Sequence, residues 1–167
     1  PGPRGGRWFT APAAHQSGQG TPPGVVTKFK RPPGARPKAI AAGPDGNLWF
    51  TAPGTDRIGR ITPTGEVRQF RAGLRKKSDP AGITAGPDGA LWFLNIQSSI
   101  GRITTSGTVT SFPDPTLTGS FELAAGPDGA LWFTTFGGDS IGRITTSGKI
   151  NHFSDPTIFR PTAITAG

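Results

Sequence analysis

The nine-residue word Ala-Gly-Pro-Asp-Gly-Xaa-Leu-Trp-Phe occurs three times in this chain, at Ala42–Phe50, Ala85–Phe93 and Ala125–Phe133. A worn fourth copy, Gly6-Arg7-Trp8-Phe9-Thr10, stands near the start, so the tryptophans fall at Trp8, Trp49, Trp92 and Trp132 in steps of 41, 43 and 40 residues. A second word, Ile-Gly-Arg-Ile-Thr, follows the last three tryptophans from Ile58, Ile100 and Ile141. A third begins at a glycine and ends at a phenylalanine: Gly24 to Phe29, Gly65 to Phe70, Gly107 to Phe112 and Gly148 to Phe153. Each period therefore holds four short strand candidates separated by turn residues. Pro-Asp-Gly turns the first into the second, with Pro presetting φ and Gly accepting φ > 0. Thr-Xaa-Ser/Thr-Gly turns the third into the fourth. Four antiparallel strands in about 40 residues is the arithmetic of a propeller blade, whereas leucine-rich, ankyrin and tetratricopeptide repeats are shorter, and the last two need helices.

The expected fold is thus all-β, a propeller of four-stranded antiparallel blades with four blade-equivalents in one unit over residues 1–167. The blades are bounded near 1–37, 38–80, 81–120 and 121–160, with a first-strand word at 161–167. In the first blade Ser17-Gly18-Gln19-Gly20 stands where Ile-Gly-Arg-Ile belongs, the kind of departure expected of a terminal repeat. The sequence opens at a second strand and stops in a first strand. Terminal blades of closed propellers are often completed by both chain ends, which removes exposed edges. Three assemblies would satisfy the edges: two chains joined as an eight-bladed ring by strand exchange, a fragment of a larger propeller, or a self-closed ring of four. The order of preference is as given, because four blades must bend sharply to meet.

Gly (26) and Pro (18) make up over a quarter of the residues; without period that level would suggest disorder, but here they punctuate the repeat. No stretch approaches the roughly 18 apolar residues of a membrane span. Cysteine is absent, which excludes disulfides and thiolate metal sites and leaves the compartment, cytoplasmic or secreted, undecided. Methionine is absent too, so the chain reads as processed, excised or engineered, and it shows no signal peptide. The formal charge of +8 is read as a solvated basic face. The densest basic run, Leu74-Arg75-Lys76-Lys77, is too short to argue for nucleic acid.

Gly-Pro-Asp-Gly-Asn-Leu-Trp-Phe-Thr followed by Arg-Ile-Gly-Arg-Ile-Thr-Pro-Thr-Gly resembles the repeats of streptogramin B lyases (virginiamycin B lyases). The resemblance covers nearly the whole chain. It implies a seven-bladed propeller that opens the ester of cyclic depsipeptide antibiotics by elimination, a bacterial resistance activity. It also implies a magnesium ion, a histidine as general acid/base, and carboxylates that bind or support the metal. An α-proton is removed by a base near neutral pKa while a cation holds the developing charge. In that family the His follows a Pro at the start of a first strand, and a Glu follows Trp-Phe-Thr. Here the first position holds Lys38, Ala81, Phe121 and Thr162, and the second holds Ala11, Ala52, Asn95 and Thr135. The catalytic set is missing from every blade in the sequence, so no catalytic or metal residue is assigned. Magnesium would enter only under the lyase reading.

The two histidines carry little. His15 lies in a Gly/Pro/Ala-rich stretch, and His152 lies on a fourth strand, the outer edge of a blade; both are read as packing or surface residues. Asp45, Asp88 and Asp128 repeat, as do Arg60, Arg102 and Arg143. Repetition in every blade assigns the aspartates to their turns and the arginines to packing between blades with a carboxylate partner. Trp49, Trp92 and Trp132 are expected in the inter-blade core. Residues that differ between blades are better site candidates, because loops carry function over a fixed scaffold. The first-strand starts Lys38, Phe121, Glu122 and Thr162, and the loop residues Asn95, Gln97, Phe136 and Asp139, are expected on one face near the channel. They would form a mixed polar and aromatic surface for a small molecule or peptide. The function expected is a binding or scaffolding propeller that assembles as a homodimer, with no membrane or nucleic-acid partner. The alternatives are a lyase or part of one, which loss of a streptogramin with magnesium would reveal, and a lectin-like sugar binder, which a glycan array would test.

Overall fold

The computed structural model describes residues 7–11, 16–20, 26–30, 34–71 and 78–166. They form four consecutive antiparallel sheets in which every strand pairs with its neighbour in sequence. The first sheet holds β1 (Arg7–Ala11), β2 (Gln16–Gly20) and β3 (Val26–Lys30). The second holds β4 (Ile40–Ala42), β5 (Leu48–Ala52), β6 (Arg57–Ile61) and β7 (Val67–Phe70). In the third are β8 (Pro80–Ala85), β9 (Leu91–Asn95), β10 (Gln97–Ile103) and β11 (Val109–Thr118), and in the fourth β12 (Leu123–Ala125), β13 (Ala130–Thr135), β14 (Ser140–Thr145) and β15 (Ile150–Ser154). These are the blades of a propeller. β8 packs against β4 and β5 on one side and β12 on the other, so the first strands lie side by side at the inner edge. The atypical Ser17-Gly18-Gln19-Gly20 still forms β2, pairing from Arg7↔Gly20 to Ala11↔Gln16; the ladder is made by backbone groups, which Gly and Ser supply as well as Ile does. The first-strand word at 161–166 is in no sheet. Among the described residues no helix is long and apolar enough to cross a membrane.

The Pro-Asp-Gly turns show why the repeat needs its aspartate and arginine. Gly46 takes φ +72, with open space where a Cβ would be, and the Asp45 carboxylate accepts the Asn47 amide at 3.2 Å and the Trp49 indole N–H at 3.1 Å. Asp88 and Asp128 repeat this with Ala90 and Trp92, and with Ala130 and Trp132. Their second oxygens accept the Nε of Arg102 at 2.6 Å and of Arg143 at 2.7 Å, while the Arg60 pair with Asp45 is looser at 3.8 Å. The arginine partner is therefore the aspartate of the same blade. Only one contact of this kind crosses to the next blade among the described residues, Arg60 Nη1 to the Thr105 carbonyl at 3.3 Å.

The core lies between sheets. Trp49 and Ile58 pack with Ile83, Leu91, Phe93 and Ile103 of the next sheet. Trp92, Leu94, Ile100 and Leu117 pack with Leu123, Leu131, Phe133 and Ile144. Because β5 and β9 are buried on both faces, Leu-Trp-Phe shows no apolar–polar alternation. The glycine of Ile-Gly-Arg-Ile makes room for the phenylalanine of the neighbouring strand. A Cβ on Gly59, Gly101 or Gly142 would lie 2.0, 2.1 or 2.1 Å from the ring of Phe50, Phe93 or Phe133. Each buried aromatic or aliphatic side chain of this core contributes roughly 1.5–3 kcal/mol relative to exposure.

Candidate functional site

The inner end of each first strand is fixed by backbone bonds to the second. Lys38 donates its amide to the Thr51 carbonyl at 3.0 Å, and the Thr51 hydroxyl accepts the Ala39 amide at 3.1 Å and donates to the Ala81 carbonyl of the next blade at 2.7 Å. The Lys38 side chain is exposed, and its ammonium stands 5.1 Å from the ring centre of Phe121, two blades on. The intervening first-strand start is Ala81, fully buried and without a long side chain. Phe121, 39% exposed, meets the edge of Phe136 with ring centres 6.0 Å apart. Phe136 opens the 3-10 turn Phe136–Gly138 that follows β13.

The row continues into residues that the sequence reading missed. The Arg160 guanidinium lies 5.3 Å from the ring centre of Phe136 and 5.3 Å from that of Phe159. Its amide donates to the Asp139 carboxylate at 2.8 Å, and both residues hold a left-handed backbone, φ +44. Lys38, Phe121, Phe136, Arg160 and Phe159 thus form a row of cations and aromatic rings, each cation–ring contact being worth about 0.5–1 kcal/mol where exposed. Phe-Arg-Pro, just ahead of a first-strand word at a point where no other period has it, was the available signal.

Of the remaining candidates, Glu122 and Thr162 are exposed; Glu122 contributes its carbonyl to the Thr134 amide at 3.3 Å. Asn95 is elsewhere in character: it is 2% exposed, and its amide nitrogen donates to Ser99 at 2.9 Å. Gln97 pairs with Thr118 through its backbone, and its side chain is outside the described residues, as are His15 and the run 74–77. The structure brings together Lys38, Phe121, Phe136 and Asp139, and separates Asn95 from solvent.

The carboxylates held below their ordinary range are those of the Pro-Asp-Gly turns and of Asp155, which Thr157 hydrogen-bonds. For Asp45 and Asp88 burial pushes the carboxyl up, but the hydrogen bonds from Asn47 and Trp49, or from Trp92 and Arg102, outweigh it. For Asp128 the Arg143 and Trp132 bonds dominate. Among the described residues an imidazole–carboxylate pair occurs at the outer rim, where His152 Nε2 sits 2.8 Å from Asp114 and 3.0 Å from the Thr116 hydroxyl, with its ring edge-on to Phe133. It joins β15 to the end of β11 and serves as a clasp between blades. No group of three or more His, Cys, Asp or Glu that could hold a metal ion occurs among the described residues. The arrangement can stack on and charge-pair with a ligand.

The model of the virginiamycin B lyase family matches residues 1–167. Among solved structures, a streptogramin B lyase is 42% identical with a TM-score of 0.92, covering 98% of this chain and 56% of that one. Virginiamycin B lyase from Staphylococcus aureus is 46% identical with a TM-score of 0.91, covering 96% and 56%. A catalytically inactive form of the S. aureus enzyme with quinupristin matches with the same figures. The chain therefore spans about half the length of these lyases. No curated protein matches.

Proposed function

The chain belongs to the virginiamycin B lyase family, and from that premise we propose that it forms the non-catalytic, ligand-binding part of a lyase-type propeller, holding an aromatic peptide such as a streptogramin without cutting it. One observation carries the proposal. At the positions where the family resemblance puts the histidine and the glutamate, this chain has Lys38, Ala81, Phe121 and Thr162, and Ala52, Asn95 and Thr135. The last three are buried, at no more than 2% exposure. The groups that reach solvent at the first-strand starts are a cation, a phenyl ring and a hydroxyl, which suit binding.

The role of each residue follows from its chemistry. The rings of Phe121 and Phe136 would stack on aromatic groups of the peptide, and Lys38 and Arg160 would meet its carbonyl or anionic oxygens. The relative solved with quinupristin supports a ligand of this class. The test has two readings on one sample. With quinupristin and magnesium, the expected result is saturable binding by calorimetry and an intact ring ester by mass spectrometry. Opening of the ring would overturn the non-catalytic assignment; absence of binding at millimolar ligand would overturn the binding assignment. A second reading, that the chain itself is a lyase using other groups, is favoured only by the 42–46% identity, and the mass-spectrometric arm decides it.

A further inference from the structure

The connections that lead to the first-strand starts Ala81, Phe121 and Thr162 each pass through a left-handed residue two places earlier. Asp79 has φ +45, Gly119 has φ +67 and Arg160 has φ +44. In two of the three the bend is held in the same way. A 3-10 turn, Pro53–Thr55 or Phe136–Gly138, ends in a left-handed aspartate. That aspartate, Asp56 or Asp139, accepts the amide of the left-handed residue, at 3.4 Å for Asp79 and 2.8 Å for Arg160. The bend is therefore a requirement of the scaffold, and the scaffold does not require an arginine to make it.

The three residues differ in how well they suit that backbone. Glycine has no Cβ to clash there, and aspartate is enriched there because its short side chain can bond locally. Arginine has neither advantage. A strained backbone persists where its surroundings over-determine it, and such strain gathers at ligand clamps. Around Arg160 the Asp139 carboxylate fixes the amide, and the rings of Phe136 and Phe159 each have their centre 5.3 Å from the guanidinium. Held at its backbone and beside two rings, the guanidinium has little freedom left to lose when a ligand arrives. Its planar fork of donors matches the two oxygens of a carboxylate, which a single carbonyl oxygen does not. Phe136 leads on to Phe121, and Lys38 places a second cation 5.1 Å from the Phe121 ring centre.

We infer that Arg160 grips a carboxylate, or another planar anionic group, on a ligand whose aromatic part lies on Phe121 and Phe136. Asp139 is the positioning residue that holds Arg160 in its bend. This rests on the reading of the face as a site for aromatic ligands and goes beyond it, fixing the charge of the ligand and the residue that selects it.

The test uses N-acetyl-L-phenylalanine and its amide, two probes with one ring that differ in the carboxylate, titrated by NMR into the wild type, Arg160→Gly and Arg160→Lys. The wild type should bind the acid on the order of 10-fold more tightly than the amide. Arg160→Gly should lose that preference, and Arg160→Lys should keep only part of it, because an ammonium is a point charge without the fork. Without ligand, Arg160→Gly should melt at or above the wild-type temperature, since glycine takes a positive φ without strain. A lower melting temperature overturns the inference by assigning the arginine to the fold. Equal affinity for the two probes, or binding of neither, overturns it too, as does a preference that survives in Arg160→Gly. Quinupristin separates this result from the reading beneath it. If quinupristin binds while acid and amide bind alike, the binding face stands and the anion grip falls. If the acid preference is present and lost in Arg160→Gly while quinupristin does not bind, the grip stands and the streptogramin ligand falls.

Discussion

The third and fourth blades carry the same tryptophan–phenylalanine stack in the same local geometry and differ in what lies over it. Trp92 and Trp132 each donate to a turn aspartate and stack on a phenylalanine, but Trp92 is fully buried while Trp132 is half-buried. The blade's internal wiring therefore forms without a neighbour. What the neighbour adds is the desolvation of the aromatic stack, the partner for a buried hydroxyl and, at the rim, the His152–Asp114 clasp. Local code makes a blade; the next blade makes it stable.

The largest effect should come from filling the space that the glycine leaves. Gly101→Val places carbon within 2.1 Å of Phe93 in the most buried layer, and overpacking of this kind costs about 3 kcal/mol or more. Chemical denaturation should show a collapse of stability or an unfolded chain. Truncating the tryptophans sharpens the contrast between faces. Trp92→Ala should lose about 3–5 kcal/mol and the half-buried Trp132→Ala clearly less; equal losses in chemical denaturation would break the comparison. Smaller again is the rim clasp: His152→Ala leaves the Asp114 carboxylate, 5% exposed, with Thr116 as its side-chain partner, for a loss of about 1–3 kcal/mol. Asp155 makes the same turn with Thr157 but is exposed, so Asp155→Asn should move the denaturation midpoint far less than His152→Ala does.

How much of this was legible in the sequence depends on whether the cause was local. The turn aspartates, the tryptophan core and the strand order follow from words of nine residues or fewer, and all were readable. The glycine of Ile-Gly-Arg-Ile was readable as a position but not as a cause, because the ring that needs the space is on another strand. The partner of each arginine was half legible: a carboxylate was expected, but its place in the same blade follows from the β5–β6 type of register, which brings Trp49 opposite Arg60. Asn95 looked like a loop residue and is buried, since β9 runs to Asn95 before the chain turns. Arg160 and Phe159 were missed because their partners come from the turn after β13, more than twenty residues earlier. Contacts set by the ring, not the repeat, are the ones a single sequence conceals.

The smallest expected effect compares the turn aspartates with one another through pH. Asp88 and Asp128 are held below the ordinary carboxylate value of about 3.9 by their Trp and Arg hydrogen bonds. Asp45 is held there by Asn47 and Trp49, with Arg60 no closer than 3.8 Å. A folded-state pKa below the unfolded one means that the unfolded chain binds the proton more readily in acid. The stability from these groups is therefore fully present above about pH 4 and is lost as pH falls through their folded values. Between pH 7 and pH 5 the melting temperature should be insensitive to them; below pH 4 it should fall. Asp88→Asn should lower stability at pH 7 by about 1 kcal/mol and flatten the acid limb, because the group whose protonation drives that part of the loss is gone. Arg60→Gln should leave the acid limb unchanged, whereas Arg102→Gln should shallow it, since the 2.6 Å bond to Asp88 is among the causes of the shift. Equal effects of the two arginine variants would show that the carboxylates are set by the turn and the indole alone.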